Sequence, residues 1–311
     1  MITGREIQDQ IVNLKIPVNS SFTKFLETVS PEDLLDCGNF TEHVSVSAII
    51  VHLFSREILL LQHKSLNQWI LPGGHVCFDD KSIFDAVLRE VSEKTGLTRE
   101  QFILMNEKQG RSYCVEINKR QMQYNPDKGE DAHIRYDFCF VFGYSGNKDI
   151  EIDIYENREY KWFSVDDFEV KQLFEITVDD VVLNGLKHYE EQIRKRSKNE
   201  YLITPLAWYQ CNVADSYRER NLIEQAKQMY LESIDSFEKT YNDEYETPPY
   251  ILNAIWRLAI LYGETGQEDL KKRLLCKGLE FSKMYACWDS NFEKTVSMFQ
   301  QEIDKIYGGY E

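Results

Sequence analysis

Between Gly73 and Leu97 the chain reads GGHVCFDDKSIFDAVLREVSEKTGL, and this run constrains the fold more than any other. Trp69-Ile70-Leu71-Pro72-Gly73-Gly74 ends a strand in a turn, acidic residues follow, and an amphipathic helix then begins. Ile83 or Phe84, Val87, Val91 and Thr95 form a stripe at helical spacing that needs a core beneath it. Glu90 and Glu93, three apart, adjoin on the opposite surface. Arg89 precedes Glu93 by four and is placed to fix that carboxylate. A solvated helix face would also read R-E-x-x-E, but it would not need the glycine turn before it and Thr95-Gly96-Leu97 after it.

The flanks read as a mixed sheet with helices outside it. Val44, Val46, Ala48 and Ile50 alternate as a strand, and Ile58–Leu61 is an apolar run. Further strands are predicted around Tyr113–Ile117, His133–Phe142 and Tyr160–Phe163. Upstream, Ser30-Pro31-Glu32-Asp33 is a helix start within a small helical extension, residues 1–42. Downstream, Thr177-x-x-Asp180 is a capping box for a helix running to about Lys198.

The run 73–97 resembles the Nudix box, G-x5-E-x7-R-E-U-x-E-E-x-G-U with U aliphatic. The resemblance implies an α/β/α sandwich with a mixed sheet over residues 43–198. It implies a hydrolase of nucleoside diphosphate-linked or related small phosphorylated molecules that uses Mg2+ or Mn2+. It also implies that Glu90, Glu93 and Arg89 are catalytic, and that Glu90, Glu93 and a backbone carbonyl at Gly73 hold the metal. Three departures stand out. Counting from Gly74, Asp80 takes the first acidic position. Eight residues separate Asp80 from Arg89 where the pattern has seven, which a one-residue bulge absorbs. Lys94 replaces the second glutamate of the E-E pair, which in the family is commonly a metal ligand. A protonated ammonium cannot ligate a divalent ion and repels it. Either Lys94 supplies part of one cation's charge beside a sparser metal site, or the domain binds ligands without catalysis.

His75 after the glycines, with Asp79 or Asp80, is similar to a Nudix subgroup that begins G-G-H and carries a later H-x-H-x-D strand. Here that strand reads His133-Ile134-Arg135-Tyr136-Asp137. Period two sets His133, Arg135 and Asp137 on one face, against Ile134, Tyr136 and Phe138. His75, Lys94, His133, Arg135 and Asp137 are therefore the candidate substrate-binding residues, with Arg135 suited to clamp a phosphate through two hydrogen bonds. A hydrogen-bonded edge strand at the surface would show the same pattern. The histidines raise a transition metal as a rival ion, but the oxygen-rich helix favours the hard cation. Glu151, Asp153, Glu156 and Glu159 precede Trp162-Phe163, and the resemblance implies one further ligand or base among them without saying which. Cys77 carries no assigned chemistry.

Beyond the polar stretch Arg194–Glu200 the strand signal ends. Tyr209, Val213, Ala214, Tyr217, Asn221 and Ala226 recur about 45 residues on, in a copy holding Ala254, Leu258, Ala259, Tyr262, Gly266, Leu274, Gly278 and Leu279. The spacing resembles tetratricopeptide (TPR) helical hairpins, with Asp243–Pro249 as an inserted loop and Lys271 where alanine is usual. Residues 199–311 are thus expected to be all-helical and TPR-like, with a last helix near Asp289–Ile306. Two hairpins leave a face for a protein partner or a homodimer. A generic helical bundle is the plainer alternative.

Net charge is −16, and both halves are acidic, so no basic block exists to neutralise nucleic-acid phosphates. The seven cysteines are scattered and contain no C-x-x-C pair, as expected of free thiols in a reducing compartment. No apolar run reaches the roughly 18 residues of a membrane span. The expectation is a cytoplasmic enzyme. The alternative is a Nudix-fold ligand sensor or interaction protein signalling through its helical C-terminal domain.

Overall fold

The computed structural model describes residues 42–77, 79–108, 111–124, 129, 131–165, 167, 178–196, 205–239, 250–287 and 289–308, together with 2, 3, 6, 7, 9, 10 and 13. Two compact units divide the chain, Met1–Gln192 and Ile193–Glu311.

The first unit is built on β1 (Glu42–His52), β2 (Glu57–His63), β3 (Gln68–Ile70) and β4 (Gly73–His75), followed by helix α1 (Ile83–Thr95). Then come β5 (Phe102–Leu104), the short pair β6 (Glu107–Lys108) and β7 (Arg111–Ser112), β8 (Glu116–Met122), β9 (His133–Tyr144), β10 (Asn157–Ser164) and α2 (Val178–Arg196). The main sheet runs β10-β2-β1-β9-β5, with β3 on β2, β4 on β1 and β8 on β9. Strands β1 and β9 are parallel over their shared length and the other pairs are antiparallel, so the sheet is mixed.

Period two divides β1 and β9 into two chemically distinct faces. Val44, Val46, Ala48 and Ile50 join Phe138, Phe140 and Phe142 in one buried cluster with Ile83, Ala86, Val87 and Val91 of α1. The opposite face carries His43, Ser45 and Ser47 beside Arg135, Asp137 and Cys139 in register. On that side Gly143 leaves space for the Met105 side chain, and Gly185 of α2 lies against the Met105 backbone. Central β1 is buried on both faces, so over residues 43–48 its alternation separates apolar from polar and not inside from outside, and beyond that Ile49 and Val51 make the second face apolar as well.

Helix α1 starts where the residue types predict. The Ser82 hydroxyl accepts from Asp85 N at 2.9 Å, and Glu6 of the N-terminal segment accepts from Ile83 N at 2.7 Å. It ends at Gly96, whose left-handed φ of 67° lets its N–H return to the Ser92 carbonyl.

Some expectations shift. The strand expected at Tyr113–Ile117 begins at Glu116 and runs through the polar stretch to Met122. Backbone pairing with β9 and a polar sheet face together override the apolar signal of Tyr113-Cys114-Val115. The helix start at Ser30–Asp33, Thr177 of the capping box and the Asp243–Pro249 insert lie outside the described residues.

The second unit contains α3 (Pro205–Glu219), α4 (Ile223–Lys239), α5 (Ile251–Glu264), α6 (Glu268–Ala286) and α7 (Glu293–Gly308). The internal copy is visible in the backbone. Asn221 (φ 59°) and Gly266 (φ 72°) turn α3 into α4 and α5 into α6. Leu222 N donates to the Tyr217 carbonyl and Gln267 N to the Tyr262 carbonyl, both at 2.8 Å. Val213, Leu258 and Tyr262 are buried, whereas Tyr217 is half-buried beside the Arg220 guanidinium. The outlying Lys271 lays its stem along Gly263 and brings its ammonium 3.1 Å from Glu302 of α7.

Helices α6 and α7 pack tightly at Gly278, where an added Cβ would stand 2.2 Å from the buried Phe299 ring. Gly278→Ala is expected to destabilise the helical unit by about 1–3 kcal/mol through overpacking. Denaturant unfolding followed by far-ultraviolet circular dichroism checks this, and an unchanged midpoint would mean that α7 yields at that point.

Candidate active site

Arg89 is the hub of the site. Its Nε and Nη2 each lie 3.0 Å from one oxygen of Asp80, a bidentate pair. Nη2 also donates to the His75 carbonyl at 2.8 Å, while Nη1 donates to Glu90 at 2.9 Å and Glu93 at 3.3 Å. Asp80 is fixed in turn by Cys77 N–H at 2.7 Å. The 77–80 turn thus accommodates the extra residue before α1 and still delivers a carboxylate to Arg89. With Asp80 as the largest cause, Arg89 is held well above its ordinary value.

Glu90 is buried and packs directly on the glycine turn, where an added Cβ at Gly74 would meet its Oε2 at 2.2 Å. Burial raises its carboxyl above the usual range, Glu93 adds to the rise, and Arg89 and Lys94 oppose it. Glu93 is more than half exposed. A pocket of about 240 Å³ opens beside these groups, lined by Gly73, Gly74, His75, Glu90, Glu93, Lys94, Arg135, Glu156 and Asn157, with Leu61, His63, Leu66, Ile70 and Leu71.

Lys94 turns to the loop before β10. Its Nζ is 2.6 Å from Glu156 and 3.8 Å from Asp153. Burial pulls the ammonium down, but Glu156, Glu90 and Asp153 outweigh it, so the pKa is raised and the charge retained.

On the polar sheet face three imidazoles form a row, His75–His43 at 5.1 Å and His43–His133 at 4.8 Å between centroids. The Nε of Arg135 is an obligate donor and lies 3.0 Å from His133 Nε2. That nitrogen must accept, which leaves Nδ1 protonated toward the Asp131 carbonyl at 2.6 Å. A neutral His133 therefore orients Arg135. Asp137 is buried, accepting from Ser45 at 2.9 Å and Ser47 at 2.5 Å, with Arg120 3.6 Å away.

The sequence-predicted residues therefore separate by role. Gly73, His75, Glu90, Glu93, Lys94 and Arg135 converge on the pocket. Arg89 braces it and His133 braces Arg135, while Asp137 ties β9 to β1. Asp80 was recognisable by spacing alone, but its pairing with Arg89 was not. Glu156 was one of four equivalent acids until β10 and the Lys94 ammonium distinguished it; Glu151 and Glu159 are exposed. A larger cavity of about 830 Å³ lies beside the N-terminal segment, among Glu6, Asp9, Phe84, Arg99 and Tyr113, away from these groups.

Among the described residues no group of three or more His, Cys, Asp or Glu is gathered as a ready metal site. The donor chemistry still suits one hard cation. Three carboxylates, Glu90, Glu93 and Glu156, border the pocket, the last paired with Lys94, and the glycine turn lets the backbone come up against Glu90 where any Cβ would collide with it. Also among the described residues, no helix is long and apolar enough to cross a membrane.

Residues 41–183 match a family model described as NUDIX domain, a little under half of the chain. Together with the mixed sheet and its packed helices, this gives the first unit the Nudix fold. No curated protein matches the chain. Among solved structures, a C. elegans Ap4A hydrolase binary complex is 17% identical, with 48% of this chain and 98% of that chain covered and a TM-score of 0.32. A MutT protein from Methanosarcina mazei Go1 is 23% identical over 51% and 97%, TM-score 0.28. A NUDIX-family hydrolase from Clostridium perfringens is 22% identical over 48% and 97%, TM-score 0.32.

The contact between Gly74 and Glu90 generates a double-mutant test. Gly74→Ala is expected to cost about 1–3 kcal/mol. In the Glu90→Ala background that cost should fall, giving a coupling of at least about 0.5 kcal/mol in denaturant unfolding. Strictly additive losses would show that the carboxylate swings away from the turn.

Proposed function

We propose that the 41–183 domain hydrolyses a phosphoric anhydride bond in a nucleoside diphosphate-linked or related small phosphorylated substrate, with Mg2+ or Mn2+ as cofactor. The observation that carries this reading is Glu90: a buried carboxylate, packed on a glycine turn and braced by Arg89, beside a pocket that also holds Arg135 and His75. Gly73, Glu90 and Glu93 would hold the ion, which when bound neutralises phosphoryl oxygens and acidifies water.

The chain's own groups do the positioning. Arg89 keeps Glu90 and Glu93 directed to one side of α1 while its grip on Asp80 and the His75 carbonyl stops the pair from drifting. Arg135, its Nε held by neutral His133, lines the pocket and would place its guanidinium charge beside substrate phosphate. His75 borders the same space and can donate to a phosphate oxygen.

A second reading, a ligand sensor with weakened catalysis, is favoured by one observation. Lys94 already engages Glu156, a carboxylate of the pocket wall. In that reading the 199–311 segment, TPR-like with a repeated hairpin, passes the signal to a protein partner or a second copy. The six described cysteines are free thiols, which supports a cytoplasmic setting for either reading.

A panel of nucleotide sugars, dinucleoside polyphosphates and nucleoside triphosphates, assayed with Mg2+ or Mn2+, is expected to reveal metal-dependent turnover that chelation abolishes. Glu90→Gln should lower kcat by about 100-fold or more, on the order of 2.7 kcal/mol in the barrier, with the fold retained. Unchanged turnover in this variant would remove Glu90 from the reaction. Measurable ligand binding with no turnover across the panel would leave the sensor reading in its place.

A further inference from the structure

Two cationic side chains of α1 divide the carboxylates at its surface. Arg89 holds Glu90 and Glu93, and Lys94 holds Glu156 with Asp153 close behind. The second group is constrained from several directions. Lys94 lies in the last turn of α1, where the helix dipole favours a cation. Asp153 N–H donates to the Lys94 carbonyl at 3.1 Å, and Lys64 N–H donates to the Glu156 carbonyl at 2.9 Å. The Lys64 ammonium also takes the Ile154 carbonyl. The loop is thereby clamped to both β2 and α1, so its two acids cannot withdraw from the helix end.

The Lys94 side chain is only 15% exposed, so its charge is poorly replaced by water. Glu156 lines the same pocket as Glu90 and Glu93. Without the ammonium, Asp153 and Glu156 would share this end of α1 with Glu90, whose own cationic partner is Arg89, and a cluster of acids so placed favours a cation.

We propose that Lys94 is a resident cation of the pocket: its ammonium fills the position beside Asp153 and Glu156 that a divalent ion would otherwise take. The pocket then accepts one divalent ion, at Glu90 and Glu93, and not two. The proposal rests on the hydrolase reading for that first ion, and assigns Glu156 to Lys94 instead of to metal. A tethered ammonium cannot dissociate, so this half of the pocket keeps its positive charge when chelators strip the other half.

The test is a Mn2+ titration of the full chain, with free ion followed by electron paramagnetic resonance. Lys94→Gln is expected to bind one more Mn2+ per chain than the wild type, and adding Glu156→Gln should remove the extra ion. Glu156→Gln alone should leave the wild-type stoichiometry unchanged. No gain in folded Lys94→Gln, or an ion lost in Glu156→Gln alone, overturns the proposal. Where thermal melts show that Lys94→Gln does not fold, the single Glu156→Gln variant decides. Turnover on the same samples keeps the two readings apart. Expected stoichiometries without hydrolysis sink only the hydrolase, and hydrolysis with an ion lost in Glu156→Gln sinks only the role of Lys94.

Discussion

The five hydrogen bonds of Arg89 are the constraint on which the candidate site depends. One guanidinium joins the turn before α1, the carbonyl after the glycine pair and two carboxylates on the helix itself. Each contact would be modest if solvated, but Glu90 is buried, and a buried carboxylate without such a partner is strongly disfavoured. The geometry needs a planar donor with fixed angles, which a lysine at this position does not supply. Glycine at 74 is the complementary requirement, because the backbone must come within contact distance of the carboxylate that Arg89 holds.

The fold was legible where the sequence carries two signals at once. The box helix was legible from its apolar stripe between the glycine turn and Thr95-Gly96-Leu97, and the structure adds the Ser82 cap and the Gly96 stop that limit it. Strand β9 was legible from its alternation, and its polar face is where expected, though Asp137 serves β1 and not the pocket. Strand β8 was misplaced because backbone pairing, which leaves no trace in residue type, decides where a polar strand runs. The roles of Asp80 and Glu156 were hidden for a related reason. Each depends on a partner, Arg89 or Lys94, that only the turn at 77–80 or the loop before β10 brings within reach.

In the helical unit, the pairs α3–α4 and α5–α6 share one turn geometry. Asn221 and Gly266 occupy equivalent turns, and both tolerate the left-handed conformation that the hairpin demands. The two turns and their returning backbone bonds are therefore alike although the side chains between them differ. Lys271 breaks the small-residue rule at a helix crossing, yet Gly263 opposite gives its stem room and Glu302 meets its charge. The small residue at this crossing stands on α5, which leaves room for the lysine on α6.

The charge balance of the pocket follows from where the elements end. The parallel pairing of β1 and β9 sets Arg135 beside His43, and β4 on β1 adds His75. Those strands bring positive and neutral donors to one wall. Helix α1 brings the carboxylates to another, and its C-terminal turn adds an ammonium that pairs with the acids of the loop before β10. On the proposed function, a phosphorylated ligand entering between them would meet fixed donors on the sheet side. On the helix side it would meet carboxylates already partly neutralised by the chain. On the proposed reading the need for external cations is set by α1 and not by the sheet, and one residue at its last turn, Lys94, would be enough to change that need without altering the fold beneath it.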